Sequence, residues 1–364
     1  MEDNNFLEMM NSLGQKGETI PATTSFIDTG SYILNALLSA SIYGGFAGNR
    51  VTALAGEQGT YKSFFAMSAV KQFQMDFPTG GVIYFDTEYA LDEEQLAGRG
   101  IDISRIQIQF PETLQDFRTK ILGFIDGYEK LKVRPPVMVV LDSLGNMPTT
   151  KELNDAREGK DVRDMTKQQI IRSIFRTITL KLGMLGIPLV CTNHTYQMIG
   201  AYVPTRAMSG GGGIAYAASN IVSLTKKKDR EGTDVIGNIV RAKMEKSRFS
   251  KEQKVVELRA NFEHGLERYF GLLPLALKYG IFVRVGNRYV MPDGSKRWEK
   301  ELAQEPEKYY TKDILDKLDA AAKKEFSLGS SEGLEDVVAV ENVVPLGGEP
   351  IEAETEEVEE QSEE

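Results

Sequence analysis

Four short apolar runs, one leading into a glycine-bearing loop and three closing on polar or charged residues, constrain this chain more than any other feature. They are RVTALAG (50–56), GGVIYFDTE (80–88), PPVMVVLDSLG (135–145) and IPLVCTNH (187–194). A strand that is apolar on both faces belongs inside a parallel sheet covered by helices. Between the runs lie stretches with helical spacing: SFFAMSAVKQFQMDF (63–77), Leu114–Leu131 and QQIIRSIFRTITLKLGML (168–185). Strand and helix therefore alternate, which predicts an α/β fold with a mostly parallel central sheet flanked by helices. In such a sheet the carboxyl ends of the strands open on one crevice, so the loop after the first run and the polar residues that close the other three are expected to meet there.

The remaining segments fill out this plan. Residues 149–165 and 194–213 are polar and read as two long surface loops, a kind that usually carries function. NIVSLTKKK (220–228), VIGNIVRAKME (235–245) and QKVVELRA (253–260) read as antiparallel edge strands. A β segment at 281–291 and a helix over Ile314–Phe326 follow. At the N-terminus Phe6, Met9, Met10 and Leu13 share one face of a short helix, with a linker after it. The expected organisation is an N-terminal helix and linker (1–27), a core (28–264), a small C-terminal region (265–328) and a tail (329–364).

The tail holds 13 acidic and no basic residues. Of 43 basic and 53 acidic residues in the whole chain, 43 and 40 fall in residues 1–328, so a slightly basic body carries a strongly acidic appendage. Such a tail cannot bury a core and is expected to be disordered. A positive body beside a polyanion favours an anionic polymer as partner. The single cysteine, Cys191, excludes an intramolecular disulfide and sits in an apolar run as a core residue would. No apolar run approaches bilayer-spanning length, and the acidic N-terminus does not look like a secretory signal. A cytoplasmic location without a membrane partner is expected.

The segment GEQGTYKS, Gly56–Ser63, follows the first run and opens a helix. Apart from Tyr61, which stands where a second glycine is usual, it has the spacing of a phosphate-binding loop. The backbone N–H groups of Gly56, Gly59, Thr60 and Tyr61 with the helix N-terminus would form a concave anion site. Lys62 would reach the β- and γ-phosphates, and Ser63 would ligate Mg²⁺. Asp142 closes a run where an acid can hold Mg²⁺, and Glu88 closes another where a carboxylate can polarise an attacking water. His194 closes the fourth and opens a long loop, a place from which it can report the state of the nucleotide. Together these residues point to a nucleotide hydrolase. The glycines Gly210, Gly211, Gly212 and Gly213, near Arg206 and Met208, allow close approach to a phosphate chain. Tyr202 and Met208 can pack against bases.

The stretches DTGSYILNALL (28–38), FDTEYALD (85–92), VVLDSLGN (139–146), TNHTY (192–196), SGGGG (209–213) and EKSR (245–248) resemble the RecA family of recombinases, above all its phage branch of UvsX type. The resemblance runs from about Asp28 to Leu277. It implies a DNA-dependent ATPase with a RecA-like core that uses ATP and Mg²⁺ and forms a helical homo-oligomeric filament on single-stranded DNA. The filament would pair with double-stranded DNA and exchange strands in recombination, repair and recombination-dependent replication. A single-strand-binding protein and a mediator or loader are the implied helpers, in the host cytoplasm if the chain is viral. By position, Glu88 is similar to the family's catalytic glutamate, Asp142 to its Mg²⁺-side aspartate, and Lys62 and Ser63 to its phosphate-loop pair. Asp92 matches the acid near the adenine, and His194 the residue that links γ-phosphate to the second DNA loop. Lys246 and Arg248 resemble basic residues that reach a neighbour's ATP, and Arg172 and Arg176 lie where the family contacts the DNA backbone. Asn146–Asp164 and His194–Gly213 would be the two DNA loops. Two positions depart from the bacterial pattern: Tyr61, aromatic as the phage branch tolerates, and Gln95, where a stacking tyrosine is usual. A ring helicase of the same fold, and a weakly hydrolysing single-strand-binding or mediator paralogue, are the alternative readings.

Overall fold

The computed structural model describes residues 25–160, 164–197, 206–208 and 213–329. The expected N-terminal helix, the tail beyond Gly329, Tyr202, Gly210, Gly211, Gly212 and the Arg206 side chain lie outside the described residues. Strands β1 (Phe26–Ile27) and β2 (Phe46–Ala47) form a small antiparallel pair. The main sheet is built from β3 (Val51–Gly56), β4 (Gly81–Asp86), β5 (Ile106–Gln109), β6 (Val137–Asp142), β7 (Leu189–Gln197), β8 (Arg206–Met208), β9 (Asn220–Glu231), β10 (Asp234–Ser247), β11 (Val255–Asn261) and β12 (Gly265–Leu266). Their order is β12-β11-β10-β9-β3-β7-β6-β4-β5, with β8 on β7. A three-stranded sheet, β13 (Val283–Val285), β14 (Arg288–Val290) and β15 (Lys296–Arg297), follows. The helices are α1 (Tyr32–Ser39), α2 (Lys62–Asp76), α3 (Glu93–Gly98), α4 (Leu114–Glu129), α5 (Thr150–Arg157), α6 (Lys167–Met184), α7 (Gly213–Ala217), α8 (Leu272–Lys278), α9 (Glu299–Gln304), α10 (Pro306–Tyr309) and α11 (Lys312–Phe326).

The apolar runs became buried strands for the reason their composition gives. Successive side chains point to opposite faces, and each face carries its own core. Leu54, Tyr84, Val140 and Val190 join one cluster with Phe65, Ala69 and Phe73 of α2 and Leu318 of α11. Ala53, Phe85, Val139, Leu141, Leu189 and Cys191 join the other with Phe117 and Ile121 of α4 and Phe175 and Ile178 of α6. Cys191 is fully buried, and burial pushes its thiol well above the ordinary range.

Three expectations change. Residues 220–228 do not form an edge strand: β9 runs parallel to β3 on one side and antiparallel to β10 on the other. Its apolar half, through Leu224, pairs with β3, whereas Lys226, Lys227 and Lys228 run past the end of that strand. The charged half gave it the look of an edge. Residues 149–165 are not all loop, because α5 starts there on a capping box between Thr149 and Glu152. Finally, β7 continues to Gln197 and pairs antiparallel with β8, so the segment after His194 begins as paired strand.

Candidate functional site

The chain leaves β3 at Gly56 and enters α2 at Lys62, so five residues turn it across the sheet edge. At Gly56 a Cβ would lie 2.4 Å from Thr60 Oγ1 and 2.8 Å from the Leu224 carbonyl. Gly59 has φ +71°, a left-handed conformation that glycine adopts without strain. Tyr61 has the same φ of +71°. It therefore supplies the backbone shape of the missing glycine, at the cost that any side chain brings to that region. Its side chain is held at two points. Its hydroxyl accepts a hydrogen bond from Asn238 Nδ2 at 2.7 Å, and its ring meets Phe64 edge-on at 5.6 Å. Lys62 is 5% exposed, and its ammonium donates to the Gly56 and Glu57 carbonyls at 3.1 and 2.8 Å. Burial lowers its pKa, while Glu88 and Asp142 pull it up.

The other three strand ends reach the same place. Gly56 of β3 stands opposite His194 of β7, and Asp86 of β4 opposite Asp142 of β6. Asp142 is buried and accepts from the Tyr84 hydroxyl at 2.7 Å and from the Thr192 hydroxyl. Glu88 Oε1 takes a hydrogen bond from Ser143 Oγ and another from His194 Nε2, both at 2.8 Å. Burial pushes the Glu88 carboxyl up, but the contacts from His194 and Ser143, with the charge of Lys62, hold it below its ordinary value. An ionised carboxylate only accepts, so the His194 ring nitrogen is the donor. The Glu88 and His194 side chains are 37% and 32% exposed, open enough to meet a ligand.

Several contributors carried no sequence signal of their own. Asp86, 3% exposed, accepts the backbone N–H groups of Glu88, Ala90 and Leu91 at 3.0, 2.9 and 3.1 Å, and so sets where Glu88 points. Tyr84, Ser143 and Thr192 fix the two acids through hydroxyls. The period-2 alternation of β4 puts Tyr84 and Asp86 on one face, the only clue available. Ser63, Asp142, Glu88 and Asp92 line one cleft. Ser63 and Asp142 offer hard oxygen donors of the kind Mg²⁺ takes, one or two from protein and the rest from phosphate and water. No group of three or more His, Cys, Asp or Glu gathers as a metal cage among the described residues. Asp92 caps α3, accepting from the Gln95 N–H at 2.9 Å.

The remaining expected residues lie elsewhere. Lys246 pairs with Ile221 and Ser247 with Asn220, beside Ala53 and Thr52 of β3. That is about 10 Å along the strands from Gly56 at ~3.3 Å per residue, and two strands to the side. Lys246 donates to the Ala215 carbonyl at 2.6 Å, and burial with the nearby Arg248 lowers its pKa. Neither it nor Arg248 joins the cluster of its own chain. Arg172 and Arg176 are exposed on α6, and Arg172 sits 4.9 Å over the Tyr216 ring. Met208 packs partly against the second core. Gly213 is buried where a Cβ would lie 2.7 Å from Ile171 Cγ2, so α7 packs close on α6.

Taken as chemistry, the cluster offers a cradle for phosphates, an ammonium, a metal-side acid and a carboxylate poised beside a donor. The sequence matches the RecA N-terminal domain model over residues 8–267. It is 29% identical over 281 residues to the recombination and repair protein of Enterobacteria phage T4, covering 77% of this chain and 71% of that relative. It is 25% identical over 315 residues to protein RecA of Paenarthrobacter aurescens, covering 82% and 86%, and 26% identical over 320 residues to protein RecA of Nostoc, covering 84% of each. With more than half its length inside the family model, and relatives matched along most of theirs, the chain belongs to the RecA family of recombinases.

Proposed function

We propose that this protein is an ATP-dependent DNA recombinase. Copies of the chain bind ATP with Mg²⁺ between them, assemble into a helical filament on single-stranded DNA, pair it with duplex DNA and exchange strands. The observation that carries this reading is the hydrogen bond between Glu88 and His194 at 2.8 Å. It ties the carboxylate that would polarise the attacking water to the strand that leads into the second candidate DNA loop. A change at the γ-phosphate therefore has a direct path to the DNA, which is what an assembly switch needs.

In this mechanism the loop backbone and Lys62 hold the β- and γ-phosphates. Glu88 orients a water for in-line attack and accepts its proton. Ser63 and Asp142 are the residues that would hold Mg²⁺, which when bound would offset charge on the phosphate oxygens. Lys246 and Arg248 of an adjacent copy supply further positive charge to the same phosphates. Arg172 and Arg176, with Arg206, Tyr202, Met208 and the glycines Gly210–Gly213, hold the DNA strand. Burying ATP between subunits makes turnover depend on the filament, and so on DNA. A single-strand-binding protein and a loader would govern access to the strand.

Steady-state ATP hydrolysis, with and without single-stranded DNA and across protein concentration, tests the reading. Large stimulation by DNA with a sigmoidal concentration dependence is expected. Turnover without cooperative assembly on DNA, coupled instead to unwinding of a fork, would favour a ring helicase. Negligible turnover in every condition would favour a binding or mediator paralogue.

A further inference from the structure

The left-handed Tyr61 raises a question that its membership of a phosphate-binding loop does not answer. An aromatic residue at φ +71° stays there only if its surroundings over-determine it. Its ring has Phe64 at 5.6 Å and the Lys226 ammonium at 5.9 Å. The Phe64 contact comes from the helix that the loop itself enters, three residues on, and so ties the ring only to its own segment. The hydrogen bond at its tip is different. Asn238 belongs to β10, is 8% exposed, and is paired on both sides, with Lys228 of β9 and Ala260 of β11. A register shift between Val235 and Gly237 precedes it. A Cβ on Gly237 would lie 2.5 Å from the Ala260 carbonyl, so the strands are close-packed there. A bulge of this kind re-aims the side chains that follow it. The Asn238 amide is thus a fixed point, 177 residues away in sequence, to which the Tyr61 hydroxyl is tied at 2.7 Å.

We infer that Asn238 is a positioning residue for the phosphate-binding loop: through the Tyr61 hydroxyl it holds the left-handed turn that glycine would make unaided. Without the anchor, Tyr61 can relax towards negative φ, which rotates the N–H groups of Tyr61 and Lys62 away from the phosphate site. The pair acts as a replacement for a glycine, built from two residues that only the fold brings together. This inference rests on the reading that Gly56–Ser63 holds phosphates.

A double-mutant cycle on ADP affinity in the presence of Mg²⁺ tests it, by equilibrium titration of the full chain. Asn238→Leu and Tyr61→Phe should each weaken ADP binding about tenfold, the factor for losing one hydrogen bond of ordinary net strength. In a Tyr61→Gly background, Asn238→Leu should change affinity by less than about twofold, because glycine takes that φ without help. A purely structural role for Asn238 would lower affinity equally in both backgrounds, and that result overturns the inference. Unchanged affinity in both Asn238→Leu and Tyr61→Phe overturns it as well, while leaving the nucleotide site intact. If the unaltered protein does not bind ADP, the phosphate-loop reading falls and this inference with it. Tyr61→Phe adds no bulk, so it decides the matter even if Asn238→Leu folds poorly.

Discussion

The two ends of the parallel strands are furnished differently. At the carboxyl ends Lys62, Glu88, Asp142 and His194 arrive from four neighbouring strands, and Glu88 and His194 are bonded directly. Nearer the amino ends, beside Thr52 and Ala53, Lys246 donates to the Ala215 carbonyl, and Arg248 follows two residues on. The first group is a site in one chain. The second is a pair of cations held in the fold but out of reach of that site. Burial and the neighbouring Arg248 disfavour the Lys246 ammonium, a penalty that an anion brought by something else would relieve. The contrast is what the proposed ATPase, with its active unit at the contact between copies, requires.

Mixing separates the two ends most sharply. Glu88→Ala and Lys246→Ala should each lower DNA-stimulated turnover by about 10² or more, as expected for removing a base or a charge-stabilising group. Glu88→Ala should keep ATP-dependent DNA binding. When the two variants are combined, some contacts pair an intact Glu88 with an intact Lys246, and activity should return. A mixture as inactive as its parts would place Lys246 in the work of its own chain, or in none, and the comparison would fail.

A smaller effect concerns how the carboxyl-end cluster is tuned. Contacts from His194 and Ser143, with Lys62, hold the Glu88 carboxyl below its ordinary value against the opposing effect of burial. The sign follows from linkage. A depressed carboxylate contributes stability above its unfolded-state pKa and loses it as pH falls through the folded-state value. Turnover should therefore persist into the ordinary carboxylate range and fall below it. His194→Ala and Ser143→Ala each remove a lowering contact, so the acidic limb of kcat against pH should shift to higher pH in both. A limb that stays put in both variants would assign it to a group other than Glu88.

Much of this was legible in the sequence, for physical reasons that also mark where legibility stops. The four central strands declared themselves because burial on both faces demands unbroken apolar runs, and their polar last residues converge by topology alone. Helix α5 was hidden inside a polar stretch with no buried face, although Thr149 followed by Glu152 is a capping-box signal. β9 misled because one strand serves two environments, apolar beside β3 and charged beyond it. Nothing in the run FDTE marks Asp86 as the acceptor of three backbone N–H groups that fixes Glu88. Asn238 could not be read at all. An asparagine in a polar strand gains meaning only when the fold sets it against Tyr61.

The smallest expected effect is at Asp92, on the rim of the same cleft, where two roles overlap. Its carboxylate caps α3 by accepting from the Gln95 N–H at 2.9 Å, and the resemblance to the family places the same residue near the adenine. Asparagine caps a helix about as well as aspartate, whereas alanine costs about 1 kcal/mol. Asp92→Ala should therefore lower stability by about that amount in denaturant unfolding, and Asp92→Asn should leave it within a few tenths of a kcal/mol. Nucleotide affinity then sorts the roles. If Asp92 only caps, affinity follows stability and Asp92→Asn binds ATP as the unaltered protein does. If the carboxylate also meets the base, Asp92→Asn loses preference for ATP over GTP while its unfolding curve stays in place. That outcome would extend the carboxyl-end site from the phosphates to the base, on a side chain that already has a structural task.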